Sequence, residues 1–402
     1  MQRNGTLGLI ATNTVAQGDT REVGLDAMVA DGFTITRAIQ SRSWPAASAN
    51  LEYAAVWGAL GLVAEEVSRV ADDAPVRRIS TLLEAQGRTE GNPMRLTDNT
   101  GIAFQGCIVL GMGFVVEPEE AEDWIVADAR NAEVLFPYLN GEDLNQRPDA
   151  SPSRWVIDFN NRSEAEAASY ALPFMRVSEQ VKPERVHNKR KPRRDYWWQF
   201  AERAAGMRKA IAHLPEMLVL AQVSNTAQPV FIPTGIVPSH KIVVFASDSR
   251  TLFALLSSSV HYFWARKYSG AMKNDLSYSP SDVFLTFPRP ASTDRLRLAG
   301  CALDNERREI MTRRNLGLTA LYHLVHDSNV TGDADVSRIR DLHLEIDEAS
   351  IEAYGWDAPL HYGFHTYRQV RRWSPDANSR VNLLDMLLEE NHARAKSVQK
   401  GE

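Results

Sequence analysis

Seven cations stand against one acid in KPERVHNKRKPRR: Lys182, Arg185, Lys189, Arg190, Lys191, Arg193 and Arg194, with Glu184 the single carboxylate. The run leads into Asp195-Tyr196-Trp197-Trp198, so cationic and aromatic side chains adjoin. Such a segment suits the phosphate backbone of a nucleic acid, because each neutralised phosphate releases condensed counterions. Two prolines and Asn188 disfavour a regular helix, which predicts a loop able to follow that backbone. A solvated basic loop with no ligand is the competing reading. A weaker patch, Arg266 and Lys267 with Lys273, surrounds Ser269-Gly270.

Other chemistries find less support. Gly111-Met112-Gly113 within GCIVLGMGF has neither the acid nor the helix start of a cofactor-binding glycine loop, and predicts a bulged or tightly turning strand. His361 and His365 have the spacing of a helical metal pair, and His323 and His326 a related one. Neither pair carries the glutamate of a zinc-hydrolase helix, and both read as surface or packing histidines. A common metal-dependent nuclease places an acid two residues before a lysine, and none of the nine lysines has one. No serine, cysteine or histidine has local support for nucleophilic catalysis. Cys107 and Cys301 are too few for a zinc site and read as buried thiols.

The elements that must position the basic segment fall into three parts. A short apolar run, Leu7 to Ala11, then polar residues and a helix-like stretch from Asp19 to Ala30, predict strand, loop and helix. Two β-rich runs follow, Gly32 to Ile39 and Asn50 to Trp57, with Trp44-Pro45 in the turn between them. This first part, 1–86, reads as the tail of an α/β sheet. A turn-rich zone from Gly87 to Gly101 opens a mixed α+β region, 87–290. The last part, 291–402, is helical: Val336, Ile339, Leu342, Ile346 and Ala349 fall on one face.

The chain has 402 residues and a net charge of −6, so a nucleic-acid contact has to come from a local patch. Of its 45 basic residues 36 are arginine, the side chain suited to forked contacts with phosphates and guanine edges. No apolar run reaches the roughly 18 residues of a membrane helix, and the start of the chain has no secretion signal, so a cytoplasmic protein without a membrane partner is expected.

Three strings resemble the MmeI-like family of bifunctional restriction-modification enzymes and its bacteriophage-exclusion methylase relatives. They are GLIATNTVAQGDTREVGLD (Gly8 to Asp26), LFPYLNGEDLNQRPDASPSRWVIDF (Leu135 to Phe159) and KPERVHNKRKPRRDYWWQFAE (Lys182 to Glu202). Weaker agreement runs through Phe284 to Pro290 and Leu342 to Trp356. The resemblance implies the late part of a doubly wound methyltransferase sheet, then a target-recognition domain binding double-stranded DNA at the basic residues above. It also implies methyl transfer from S-adenosylmethionine to the N6 of an adenine turned out of the duplex. In such enzymes an aromatic followed by proline stacks on the extruded base, a role that falls on Trp44. The family's cofactor glycine loop and Asn-Pro-Pro-aromatic tetrapeptide have no equivalent here; Asn92-Pro93-Met94 has a single proline. The expectation is therefore a recognition part that binds no cofactor alone and relies on an upstream-encoded catalytic chain. The alternatives are a non-catalytic DNA-binding module or an inactive remnant.

Overall fold

A computed structural model describes residues 5–400 apart from 17, 46–51, 62, 65, 86, 90, 273–274 and 369. Contacts divide the chain into two units: Met1–Met94, Gly270–Asp275 and Asp357–Glu402 in the first, Arg95–Ser269 and Leu276–Trp356 in the second.

In FTITRAIQSRS, Phe33 and Ile35 turn inward at every second residue, and that period builds strand β2 (Phe33–Ser43). A bulge between Ile35 and Arg37 resets the register and brings Ala38 to the buried face. β2 joins β1 (Thr6–Thr12), β3 (Glu52–Leu60), β4 (Arg69–Ala71) and β5 (Ala74–Val76) in a sheet of order β1-β3-β2-β4-β5. Its neighbours pair antiparallel except β2 with β4. The helical stretch from α1 (Gly18–Arg21) to α2 (Ala27–Ala30) covers one face and sends Leu25 into a core with Phe33, Ile35, Ala38, Ala54 and Val56. The strands and helix expected over Leu7 to Trp57 are thus present.

The first unit closes through residues about 300 positions apart. Its C-terminal helix, Ala377–Lys400, lies against 87–94. Buried Asn391 accepts the Met94 N–H at 2.8 Å and donates to the Met94 carbonyl at 2.8 Å, imitating one rung of a sheet. Asp385 accepts the backbone N–H groups of Arg88 at 2.9 Å and Thr89 at 3.5 Å. A Cβ on Gly87 would sit 1.9 Å from the Asp385 carboxylate, so only glycine permits this approach. Tyr362–Tyr367 and Val370–Pro375 form a hairpin that includes His365, so the His361/His365 spacing lies on extended rather than helical backbone. Among the described residues no three His, Cys, Asp or Glu side chains gather as a metal site. Asn391→Ala leaves both Met94 groups unpaired and is expected to lower stability by about 1–3 kcal/mol, read as a shifted urea midpoint.

The second unit contains β6 (Ala103–Gln105), β7 (Val115–Val116), β8 (Leu135–Leu139), β9 (Arg154–Ile157), β10 (Glu216–Ala221), β11 (Val223–Ser224), β12 (Val230–Pro233), β13 (Val237–Pro238) and β14 (Ile242–Phe245). Two four-stranded sheets result, β12-β10-β14-β6 and β13-β8-β9-β7. The first reads as near-continuous apolar runs, EMLVLA and IVVF, because helices cover it: Phe253 of α10 (Arg250–Ser257) stacks on Phe231 of β12. Helix α11 (Ser259–Tyr268) follows, and α12 (Asp294–Arg314), α13 (Leu318–His326) and α14 (Ala334–Tyr354) form the helical layer expected near the C-terminus. Val336, Ile339, Leu342, Ile346 and Ala349 are all buried along α14. No helix of the described residues is long and apolar enough to cross a membrane.

Buried His261 of α11 bonds the Leu256 carbonyl through Nδ1 at 3.1 Å and the Tyr278 hydroxyl through Nε2 at 3.0 Å. A neutral ring satisfies both, Nδ1–H donating to the carbonyl and Nε2 accepting from the hydroxyl. Burial pushes its pKa down from 6.5 to about 4. The unfolded chain therefore binds a proton near pH 6.5 that the folded chain refuses until about 4, so stability rises with pH across that window and is lost on acidification. Urea midpoints are expected to fall from pH 6.5 to 4, and His261→Phe to flatten that slope.

Candidate nucleic-acid interface

Prolines begin helices in the basic segment rather than preventing them. Helices α3 (Pro118–Ala127), α4 (Gly141–Gln146), α5 (Glu164–Ala168) and α6 (Ala171–Gln180) lead to α7 (Lys182–Val186) and α8 (Lys191–Asp195). Pro183 and Pro192 lie in the first turns of α7 and α8, where an N–H has no intrahelical partner to lose. The expected loop is thus two single-turn helices joined by 187–190, with the Asn188 side chain accepting the Arg190 N–H at 3.0 Å.

The seven cations part company. Arg185, expected to bind DNA, is buried at 2% exposure. Its guanidinium donates to the carbonyls of Val109 (2.7 Å), Leu110 (2.6 and 3.2 Å) and Gln199 (3.0 Å). Burial first, then neighbouring Arg193, pulls its pKa down to about 10, which leaves it charged at neutral pH. It is a structural clamp. Arg193 is 19% exposed in its side chain and lies 3.6 Å from Glu202; Arg194 lies 3.6 Å from Asp195. Lys182 lies 3.8 Å from Glu164, with its ammonium 4.5 Å from the Trp197 ring centre. Lys189, Arg190 and Lys191 are exposed and have no ion-pair partner among the described residues. They are the cations free to meet a phosphate.

The second patch does not hold as a surface. Arg266 is buried at 4% in the last turn of α11, and Lys267 is half-buried over the Tyr268 ring at 5.4 Å. Lys273 lies outside the described residues. The tryptophan pair is also internal: Trp197 and Trp198 are buried edge to face, with Trp198 Nε1 donating to the Arg162 carbonyl at 2.9 Å. Tyr196 is the exposed aromatic of that run. Trp44 follows the end of β2, half exposed, its ring edge-on to Tyr53 at 5.3 Å. It is not a core tryptophan.

The run Gly106 to Val116 forms isolated bridges, Cys107 with Ser239 and Ile108 with Glu202, then a tight turn at Met112–Phe114 and the short β7. Leu110 at φ 53° and Gly111 at φ 134° break any longer ladder. Behind the turn the chain fills its own space: a Cβ on Gly113 would lie 2.6 Å from the Gln180 Cβ. In front of it, Leu110 and Met112 are exposed, as is Val186 on α7. Composition gave no sign of these apolar positions, because apolar residues in a glycine-rich run read equally as core.

Residues 101–291 match the family model described as MmeI, target recognition domain. That part of the chain is similar to an MmeI target recognition domain, within a mixed α/β fold. The type IIL restriction-modification enzyme MmeI, solved in complex with DNA, has the same fold: TM-score 0.73 at 17% identity, covering 97% of this chain and 50% of that one. The type IIG restriction endonuclease BpuSI aligns over 88% of this chain and 48% of its own at 11% identity, with a TM-score of 0.30 that carries no argument. The chain spans about half the length of these solved proteins. No curated protein matches it.

Arg185→Met removes the guanidinium donors to the buried Val109 and Gln199 carbonyls and to the Leu110 carbonyl, and is expected to cost at least about 2 kcal/mol. The triple variant Lys189→Ala, Arg190→Ala, Lys191→Ala is expected to melt within a few degrees of the parent, since exposed substitutions of this kind change stability by roughly 0.5 kcal/mol or less. Thermal unfolding followed by circular dichroism separates the two.

Proposed function

We propose that this chain supplies DNA target recognition to a site-specific adenine-N6 methyltransferase of a restriction-modification or phage-defence system. The observation that carries the reading is the adjacent exposed cations Lys189, Arg190 and Lys191, unpaired among the described residues, inside the segment that matches a target recognition model. The solved relative of the same fold is described in complex with DNA, which supports double-stranded DNA as the ligand. The chain as a whole carries a net charge of −6, which repels a polyanion, so docking falls to the local basic segment. The protein would act where the DNA is, in the cytoplasm.

Methyl transfer in this reading uses S-adenosylmethionine held by residues outside this sequence, whose one Gly-Met-Gly turn is filled from behind by Gln180 and Val181. A companion catalytic polypeptide is supported by β1. It is the edge strand of its sheet, with Leu9 and Ile10 exposed. Trp44, half exposed beyond β2, is the residue assigned to stack on the extruded adenine. A stand-alone DNA-binding module is the second reading, favoured by a family-model match that falls on the target recognition region, 101–291.

Fluorescence anisotropy on a labelled duplex, titrated across NaCl concentrations, tests the DNA claim. Each phosphate contact contributes about 0.9 to the slope of log K against log salt, so the triple alanine variant should flatten it by about 3. Equal slopes for parent and variant would remove these residues from the interface. Methyl incorporation restored only when a companion polypeptide is added would favour the methyltransferase reading over the stand-alone module.

A further inference from the structure

The turn Leu110–Met112 is held in a conformation that its own residues resist. Leucine at φ 53° is strained, and it is followed by Gly111 at φ 134°. Such a backbone persists only when its surroundings fix it, and three contacts do so here. The Arg185 guanidinium grips the Val109 and Leu110 carbonyls from behind. Gly111 rests 3.3 Å from the Val181 methyls, measured from where its Cβ would be. Ile108 pairs with Glu202, whose carboxylate lies 3.6 Å from Arg193 of α8. The strain holds two apolar side chains in water: Leu110 is 43% and Met112 68% exposed. Val186, on α7 next to the clamping arginine, is 48% exposed.

An exposed apolar tip on a strained, over-determined turn has no role in the core of the unit. Its setting supplies one. The clamp comes from α7 and the Glu202 tether leads to α8, which begins at Lys191, so the tip is anchored to the helices on either side of the exposed Lys189 and Arg190. Phosphates attract the cations, and between the two phosphate rows the thymine methyl groups and the faces of parted base steps offer apolar contact that a short hydrophobic tip fits.

We infer that Leu110 and Met112 form an apolar tip that enters a groove of duplex DNA while the neighbouring cations hold its phosphates. This rests on the DNA-recognition reading above and names the part of the surface that touches bases. Arg185 is a positioning residue for the tip.

The probe is the 40-bp duplex that the full wild-type chain enriches from a library with a randomised core, titrated by anisotropy at several salt concentrations. Met112→Ala is expected to weaken binding about tenfold with an unchanged salt slope, since it removes apolar contact and no charge. Leu110→Gly is expected to keep or raise the melting temperature by relieving the positive-φ leucine, yet to bind more weakly. A turn with a purely structural role would not show that split. Affinities within twofold of wild type for both variants overturn the inference and leave DNA binding intact. Failure of the wild-type chain to enrich or bind any duplex overturns both. A wild-type dimer that Met112→Ala converts to monomer in sedimentation would mark the tip as a self-contact, which also overturns it.

Discussion

A guanidinium bonded to backbone carbonyls organises the basic surface. Arg185 is buried among carbonyl oxygens, and charge-assisted hydrogen bonds to Val109, Leu110 and Gln199 replace its lost hydration. Those three acceptors come from two segments that would otherwise be independent, the glycine-broken run before β7 and the residues after α8. One side chain thereby fixes α7 to both. The planar fork of arginine suits this, since lysine offers a point charge and fewer donors. The exposed Lys189 to Lys191 stretch inherits its position from that clamp.

Charge in the rest of the chain is largely consumed internally. Arg295 meets Glu345, Glu348 and Glu352 between α12 and α14, and Arg314 meets Asp333 and Asp335. Arg340 donates to the carbonyls of Leu324, Val325, Asp327 and Val330, closing the end of α13 much as Arg185 closes its turn. A high arginine count is therefore a poor measure of polyanion affinity here. Many of these guanidinium groups serve helix ends and helix–helix seams, and the cations that matter electrostatically are those left over.

Periodicity made much of the architecture readable. The alternation in β2 and the single apolar face of α14 follow directly from spacing, as does the change from mixed to helical character along the chain. The basic segment was readable as a cluster but not in its parts. Which of seven cations turns inward depends on carbonyls at 109, 110 and 199, and sequence spacing carries no information about them. Proline misled for a local reason: at the first turn of a helix its missing N–H costs nothing, so two short helices stand where a loop was expected. The tryptophans adjoining the cations counted toward a nucleic-acid surface, yet Trp197 and Trp198 put their large apolar area into the core.

The clasp between Asn391 and Met94 bears on how the polypeptide acquires its shape during synthesis. The segment 357–402 that completes the first unit is made after every residue of the second unit has been translated. Met94 and the backbone at 88 and 89 therefore stay without these partners until 377–400 has been made, while the second unit has all its residues in hand earlier. Closing a loop of about 300 residues carries an entropic cost that grows only logarithmically with length, so the delay is one of time more than of free energy. The helix Ala377–Lys400 thus arrives late to satisfy groups that 88–94 presents long before it.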